Sequence, residues 1–454
     1  MPAASLMIVM TTNRNKTPIK IQTIKNKNLA KFNCNRLMFC YKESLLINPW
    51  RFVHMPQNSF VKTPFGLAVK SEKVKSDRLK GKVIVQILPA LNNGGVERGT
   101  VEMAEAIIRA GGRAVVISSG GLLVSKLQRI GAEHVTLNVA SKNPLKWMFV
   151  RRQVKDVLKS VGADLVHIRS RAPAWIALAA AKALGLKTVT TIHGRFKAST
   201  IFKRLYNGIM TKSDRMIAIS HYIEDLTLKQ FPKVRDKISV IHRGVDVDLF
   251  NPQGVSAQRV INIAEQLSLP DGVPVVILPA RPTAWKGASI LIAAMSKLIH
   301  LDYLLVLMGA GDGSDDYIKT LMKQTEQVGI AEKCRISPSV SDMPAALMLS
   351  DVVVMPSITP EPFGRVAIEG SAMGCPVVAF DHGGASESIV HGKTGWLAEP
   401  GNVDDLADCI GQALNLTHQQ RQKLALDAQN YVEKHFTSEK MCQSTISLYV
   451  DLLK

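Results

Sequence analysis

Two glutamates eight residues apart stand out in the stretch PSITPEPFGRVAIEG. Glu361 comes just before a Pro-Phe-Gly turn, and Glu369 lies in a helix predicted to start near Gly364. The start of a helix leaves backbone amides exposed, here those of Phe363, Gly364 and Arg365. Carboxylates accept pairs of hydrogen bonds from hydroxyl groups, so this arrangement suits a polyhydroxylated ligand. The alternative is an ordinary helix with an acidic residue at its entrance.

A second candidate site lies in the loop ARPTAWKGAS. It places Arg281 and Lys286 before Gly287, where another helix is predicted to start. Two cations beside a helix N-terminus suit a diphosphate, particularly one that gains charge as it leaves. A pair of solvated surface charges is the alternative.

Two glycine-rich loops follow predicted strands. In LNNGGVERG, Gly94 and Gly95 allow backbone amides to approach an anion, although a tight strand-to-helix turn would use the same residues. In LMGAGDGSDD, Ser314 occupies the place of the third glycine of a dinucleotide fingerprint, and nearby aspartates would repel a pyrophosphate. The second loop is therefore not predicted to bind NAD.

The elements that must position these loops are short apolar runs alternating with helical stretches, seven before Asp246 and five after it. Such alternation predicts two doubly wound α/β domains with parallel sheets, whose ligands bind outside the carboxyl ends of the strands. We expect four segments: a basic, disordered extension (1–80), a first α/β domain (81–250), a second α/β domain (251–436) and a closing helix (437–454).

The composition argues against several other kinds of protein. The 454 residues, 46% of them hydrophobic, are enough for two or three domains with their own cores. The six cysteines form no CxxC pair or His/Cys cluster of zinc-ligand spacing, so we predict neither a disulfide framework nor a metal site. No run of 18 apolar residues is present, so no bilayer span is predicted.

Charge is divided unevenly along the chain. Residues 1–80 carry 15 Lys and Arg against 3 Asp and Glu (+12), residues 81–245 carry 27 against 10 (+17), and residues 246–454 carry 15 against 24 (−9). A basic half beside an acidic half indicates an anionic partner for the first half. Nucleic acid, an anionic membrane and a phosphorylated acceptor all fit that description.

Taken together, the motifs EPFGRVAIE, RPTAWKG, GGVERG, TIHG, ISHYI, HRGVD and GGASESIVHGKTGWL resemble the family 4 glycosyltransferases of the GT-B fold. The resemblance extends from about Lys82 to the C-terminus. It implies two Rossmann-like domains that face each other across a cleft. The first (81–250) would be the acceptor domain and the second (251–436) the nucleotide-sugar donor domain.

The resemblance also implies roles for residues of the donor domain. Glu361 would hydrogen-bond the hydroxyls of the donor sugar, and Glu369 would hold the ribose hydroxyls. The backbone amides of Gly364, Arg365 and Val366 would contact sugar and phosphate.

The remaining predicted site residues lie in other loops. By the same resemblance, Arg281 and Lys286 would bind the donor diphosphate, and Gly94 and Gly95 would shape the face where acceptor and phosphate meet. His193 would lie beside the donor sugar near the reacting carbon, although a packed, hydrogen-bonded histidine is the alternative. The predicted catalytic residues are these two cations and His193, together with the first glutamate of the EPFGRVAIE motif.

The chain departs from the family pattern at several positions. His242 and Arg243 replace the Pro-Asn that many relatives have before GVD, and Gly194 replaces an aspartate after the histidine of TIHG. These changes bear on acceptor geometry and sugar identity. Asp246 and Asp248 mimic a metal motif, but we interpret them as part of a structural turn.

The resemblance predicts a retaining, metal-independent hexosyltransferase of class EC 2.4. The donor would be a UDP- or GDP-sugar, which is a substrate, so no cofactor is expected. The acceptor would be lipid-linked or lipopolysaccharide, as in bacterial cell-envelope synthesis. Two alternatives remain: a basic nucleic-acid-binding protein, which lacks any recognised binding motif here, and a sugar-nucleotide epimerase or phosphorylase of the same architecture.

The segment GRFKASTIFKRLYNGIMTKSDR interleaves basic with apolar and aromatic residues. This pattern is typical of an interfacial helix on anionic lipid. A helix that packs on its own core with a solvated basic face is the alternative. We therefore expect a cytoplasmic protein held peripherally on the inner face of the plasma membrane.

Overall fold

The computed structural model describes residues 76–92, 94–140, 144–196, 200–310 and 315–454. The extension predicted over 1–80 lies outside these residues apart from 76–80. Residues 78–81 form a turn in which Leu79 is buried, and the Leu79 amide donates to the Ala110 carbonyl at 2.8 Å. The folded part of the chain therefore begins before Gly81.

The first domain is a seven-stranded parallel sheet in the order β3-β2-β1-β4-β5-β6-β7. Its strands are β1 (Val83–Ile87), β2 (Arg113–Ser118), β3 (Glu133–Thr136), β4 (Leu165–Ile168), β5 (Lys187–Ile192), β6 (Arg215–Ala218) and β7 (Ile238–Val240). Its helices are α1 (Gly95–Arg109), α2 (Val124–Arg129), α3 (Pro144–Ser160), α4 (Arg171–Lys182), α5 (Ile201–Gly208) and α6 (His221–Gln230).

The second domain is a six-stranded parallel sheet in the order β10-β9-β8-β11-β12-β13. Its strands are β8 (Val275–Pro279), β9 (Leu304–Ala310), β10 (Cys334–Pro338), β11 (Val352–Met355), β12 (Val377–Phe380) and β13 (Trp396–Ala398). Its helices are α7 (Ala257–Gln266), α8 (Ala288–Lys297), α9 (Asp315–Gln327), α10 (Met343–Met348), α11 (Arg365–Ala372), α12 (Val403–Leu414) and α13 (His418–His435).

The central strands are mainly apolar runs, such as VIVQI in β1 and VVVM in β11, because helices cover both faces of each sheet. The edge strands β3 (EHVT) and β10 (CRISP) are more polar and partly exposed. Both sheets reverse their strand order at the strand that starts them, β1 in the first domain and β8 in the second. Ligands in doubly wound sheets bind at the carboxyl ends of the strands near such a reversal. The predicted fold class, two doubly wound α/β domains, is confirmed.

The final helix, α14 (Ser438–Leu453), packs on the first domain rather than the second. Ile446 and Tyr449 are fully buried in the core that contains α1. An ion pair of 2.7 Å between Arg109 and Glu439 adds to this contact. The end of the chain thus ties the two domains together.

None of the helices in the described ranges has the length and apolar character needed to cross a membrane.

Candidate active site

Helix α11 starts abruptly at Arg365 because Gly364 adopts a left-handed conformation, with φ of +105°. A side chain at Gly364 would come within 3.2 Å of both the Ala385 Cα and the Ser388 Oγ. Glycine is therefore needed on both conformational and steric grounds. The Ala367 amide donates to the Gly364 carbonyl at 3.0 Å, so the amides before it, those of Arg365 and Val366, are the ones that the helix start leaves without acceptors inside the helix.

Glu361 is the centre of a hydrogen-bonded group next to this turn. Its Oε1 accepts hydrogen bonds from Lys286 Nζ at 2.5 Å and from Ser357 Oγ at 2.6 Å. Its backbone carbonyl accepts the amide of Gly384 at 2.8 Å. Only 13% of the Glu361 side chain is exposed. The structure therefore brings together Glu361, the residue predicted to bind the sugar, and Lys286, a residue predicted to bind the diphosphate.

Lys286 is positioned by the residue that follows it. Gly287 has φ of +79°, and a Cβ at this position would lie 1.8 Å from the Pro356 carbonyl oxygen. The close approach of the two backbones carries the loop before α8 against the end of β11. The Lys286 ammonium also lies 4.3 Å from the centroid of the Trp285 ring. Lys286 is therefore fixed beside Glu361 before any ligand binds.

Glu369 lies four residues into α11 and is paired within the helix. Its Oε1 accepts a hydrogen bond from Arg365 Nη2 at 2.8 Å. Burial raises the pKa of Glu369, and the positive charges of Arg365 and Arg98 oppose that shift. A buried carboxylate with a guanidinium beside it is prepared to accept hydrogen bonds from hydroxyl groups.

The glycine loop of the first domain faces α11 across the cleft. Gly94 caps α1, and the Gly95 carbonyl accepts a hydrogen bond from the Arg243 guanidinium. A Cβ at Gly95 would lie 3.2 Å from Arg365 Nη1. The structure thus places the two predicted glycines opposite the N-terminus of α11 in the second domain. Burial lowers the pKa of Arg243 to about 10, with Glu102 opposing the shift.

His193 follows β5 and lines a cavity of about 290 Å³ at the carboxyl ends of β1, β4 and β5. Burial, reinforced by the charges of Arg243 and Arg169, holds the pKa of His193 well below its ordinary value. The imidazole is therefore neutral at physiological pH. Its Nε2 is buried without a hydrogen-bond partner among the described residues.

Arg281 is the predicted site residue that the structure leaves apart. Its side chain is exposed and forms no hydrogen bond or ion pair with the part of the chain described. It borders a narrow gap between the ends of β8 and β9. Its role in binding diphosphate stays a prediction.

The sequence did not single out Arg169, which follows β4 and is only 5% exposed. Its Nε donates to Gln86 Oε1 at 2.8 Å. A signal was available, because a cation directly after a buried strand is placed at the ligand-binding edge of the sheet.

Asp246, by contrast, behaves as predicted. Its Oδ1 accepts the amides of Asp248 and Leu249 at 3.0 and 3.2 Å, which closes a turn.

A second group missed by sequence reasoning joins the two domains. The carboxylate of Glu387, in the second domain, accepts the amides of His221 and Tyr222 at the start of α6, at 2.9 and 2.8 Å. It also accepts a hydrogen bond from His242 Nε2 at 2.8 Å. Within the described ranges, His221, His242 and Glu387 are the group whose ligand atoms lie close enough together to hold a metal ion. The predicted absence of a metal stays a prediction.

We expect the Glu387→Gln substitution to destabilise the protein by about 2 kcal/mol, because several donors converge on this carboxylate. Burial alone would raise the pKa of Glu387, but the hydrogen bonds from His242 and the two amides outweigh burial and lower it. A carboxyl with a lowered pKa in the folded state stabilises the fold above its unfolded pKa of about 4.3 and loses that contribution as pH falls. The melting-temperature deficit of the variant should therefore shrink below about pH 4.

Glu326→Gln is the matched control, because Glu326 is exposed on α9 of the same domain. Its melting temperature should follow that of the wild type at every pH. A Glu387→Gln deficit that persisted unchanged into acid would contradict this account of the interdomain link.

Two family models match the chain in succession. The Glycosyltransferase Family 4 model matches residues 93–249, and the Glycosyl transferases group 1 model matches residues 260–431. A crystal structure of a glycosyltransferase from Rickettsia africae is 34% identical, covers 82% of this chain and 99% of its own, and superposes with a TM-score of 0.77. The chain belongs to the group 1 glycosyltransferases. It is therefore a transferase of class EC 2.4, and its two domains have the GT-B arrangement.

Other relatives are more distant. The spore coat protein SA of Bacillus subtilis is 26% identical over 64% of this chain and 79% of its own length. Anabaena Alr3699/HepE, crystallised with UDP, is 22% identical, covers 82% of this chain and all of its own, and superposes with a TM-score of 0.70. At that identity the likeness shows a common fold.

Proposed function

We propose that this glycosyltransferase moves a hexosyl group, with retention and without a metal, from a nucleotide sugar to a membrane-associated acceptor. The observation that carries the donor side is the convergence of Lys286 and Ser357 on Glu361 at the start of α11. A sugar diphosphate needs three kinds of group close together: a cation, a carboxylate and the first-turn amides of a helix.

On this proposal, Glu361 accepts the sugar hydroxyls and Glu369 the ribose hydroxyls. Lys286 and the amides of Arg365 and Val366 stabilise the charge that develops on the leaving diphosphate. A fixed cation supplies the neutralisation that a metal ion provides in other enzymes. The departing phosphate then takes the acceptor proton on the same face of the sugar, so no side chain is required as base.

His193 has a positioning role in this proposal. Its pKa is held well below neutrality, so the ring offers one donor and one acceptor nitrogen. The unpartnered Nε2 is available to a hydroxyl of the donor sugar. Arg281, exposed at the end of β8, would reach the diphosphate only once the donor is in place.

The donor base is best taken as uracil. The Anabaena relative was crystallised with UDP, with UDP and glucose, and with UDP-glucose. We therefore propose a UDP-sugar, with a GDP-sugar as the second candidate.

The acceptor side is supported by an exposed apolar patch on α3 and α5, formed by Met148, Phe149, Ile201, Phe202 and Leu205, each at least 64% exposed. Both helices also carry exposed basic residues. An aromatic stack of Trp147, Trp175 and Tyr206 joins the two helices through α4, with ring centroids 5.8 and 6.2 Å apart. Apolar side chains flanked by basic ones are typical of a surface that binds anionic lipid. We propose that the protein works on the inner face of the plasma membrane, on a lipid-linked or lipopolysaccharide acceptor.

We expect the protein to float with phosphatidylglycerol-containing vesicles at low salt. The double substitution Phe202→Glu and Leu205→Glu should weaken that binding at least about 10-fold, since each buried apolar side chain contributes roughly 1.5–3 kcal/mol. The measurement is cosedimentation or flotation over a range of lipid concentrations.

Met322→Glu is the control, because Met322 is 52% exposed on the second domain and lies outside the patch. Its vesicle binding should equal that of the wild type. Wild-type protein that fails to float even at low salt, or a double variant that floats equally well, would overturn the membrane part of the proposal.

A further inference from the structure

The 290 Å³ cavity beside His193 is lined entirely by the first domain, between Leu88 and Met210. The ion pair of Lys286 and Glu361 belongs to the second domain. The cavity therefore lies apart from the donor residues of the second domain, and among the residues assigned to the donor sugar it includes His193. Its volume lies at the lower end of the range for small-molecule sites.

Arg169 in this cavity is a buried cation without a carboxylate partner. Among the described residues no acidic side chain lies within ion-pair distance of it, and its Nε donates to the neutral amide of Gln86. Gln86 is held in turn by a hydrogen bond from its Nε2 to the Thr100 carbonyl at 3.1 Å. The guanidinium is thus fixed in place while its terminal nitrogens are left to the cavity. An unpaired buried charge is costly, and an anionic ligand would remove that cost.

Arg171 brings a second guanidinium to the same cavity. Its Nη1 donates to Asn207 Oδ1 at 2.8 Å, and its Cζ lies 5.7 Å from the centroid of the Phe196 ring. Neither partner carries charge.

One carboxylate, Glu97, also lines the cavity. A Cβ added to Gly94 would lie 2.3 Å from Glu97 Oε2, so this carboxylate folds back over its own loop. With the histidine neutral, the lining has two positive charges and one negative, and the negative one forms no ion pair with either arginine.

We propose that the acceptor presents a phosphate group to Arg169 and Arg171 in this cavity, an inference that rests on the proposed glycosyl transfer. Guanidinium groups match phosphate oxygens with paired hydrogen bonds. A phosphate monoester carries a charge of about −2 at pH 7, which matches the two guanidinium groups, and with Glu97 counted the lining still has a net positive charge. The strongly basic charge of the first domain fits the same partner.

The test begins with the wild-type protein saturated with UDP, so that the donor side is filled. Glucose 6-phosphate should then bind and raise the melting temperature, whereas glucose should not and glucuronate should bind more weakly. Arg169→Gln should weaken glucose 6-phosphate binding about 10-fold or more, because hydrogen bonds to charged groups are lost. UDP binding should not change.

The melting temperature of the ligand-free variant distinguishes a ligand-binding role of Arg169 from a structural one. If Arg169 serves to bind the ligand, Arg169→Gln should leave the melting temperature unchanged or raise it, since glutamine removes an unpaired buried charge. If Arg169 has a structural role, the same substitution should lower the melting temperature. Arg171→Gln should also weaken glucose 6-phosphate binding, and Arg335→Gln, an exposed control, should have no effect. Vesicles containing phosphatidic acid present the same phosphomonoester on a lipid. If Arg169→Gln weakens binding to these vesicles, the phosphate belongs to a lipid. If it weakens binding of soluble glucose 6-phosphate alone, the phosphate belongs to a soluble acceptor.

Wild-type protein that binds UDP but not glucose 6-phosphate or phosphatidic acid, or an Arg169→Gln variant that binds them as tightly, would overturn this inference and leave the proposed function intact. Failure to bind UDP would count against the donor assignment instead. In that case glucose 6-phosphate is titrated without nucleotide into the Lys286→Ala variant. Because this variant lacks the cation of the donor site, binding then reports on the cavity alone.

Discussion

Replacing Lys286 with alanine is expected to lower kcat about 100-fold, because one preorganised donor to a developing negative charge contributes on the order of 3 kcal/mol to the transition state. Lys286 lies 2.5 Å from Glu361, with 19% of its side chain exposed, in a loop that Gly287 fixes against β11. A largely buried cation in a fixed position needs little reorganisation when the diphosphate leaves.

The loss should appear mainly in kcat rather than in KM. The charge on the diphosphate is larger in the transition state than in the bound donor, so the cation is worth more there. Steady-state kinetics with saturating acceptor and varied nucleotide sugar separates the two constants.

Lys297→Ala is the matched control for this prediction. Lys297 also pairs with a carboxylate, Asp404, at 2.5 Å, but on the exposed surface of α8. Its removal should leave kcat within about twofold, since exposed ion pairs contribute little. A Lys286→Ala enzyme with near-normal kcat, folded as judged by its melting temperature, would contradict the proposed role.

Much of the fold follows from local patterns in the sequence. Twelve apolar runs predicted strands, and twelve strands lie there, because a strand covered on both faces must be apolar throughout. The thirteenth, Trp396–Ala398, was missed. It has three residues and pairs with β12 at the edge of the sheet, so its identity depends on its partner and not on a pattern of its own.

Some residues of the site could likewise be predicted from the sequence and others could not. Glu361, Lys286 and the glycine at position 364 were predicted because they are unusual residues in loops that follow strands. The hydrogen bond between Lys286 and Glu361 was not predicted, because it joins residues that are 75 positions apart. Glu387 was missed because it lies in no distinctive spacing, and Arg169 was missed although it directly follows a buried strand. Their importance comes from burial and from partners 83 and 145 residues away, which only the folded chain brings together.

Removal of the Glu369 carboxylate is expected to have the second large effect. Glu369 is buried, paired with Arg365 at 2.8 Å, and assigned to the ribose hydroxyls of the donor. Each hydrogen bond to a charged group is worth about 1.5–3 kcal/mol. Glu369→Ala should therefore weaken nucleotide-sugar binding about 10- to 100-fold, with Glu326→Ala as the exposed control.

The most direct measurement of the central claim is the melting temperature of wild type and Glu369→Ala with a panel of UDP-, GDP- and ADP-sugars. A ligand that binds only the folded state raises the melting temperature by mass action. We expect the UDP-sugars to stabilise the wild type and the Glu326→Ala control, and to have little effect on Glu369→Ala. If no nucleotide sugar stabilises the wild type, or if the Glu369→Ala variant responds as strongly, the proposed donor site is wrong.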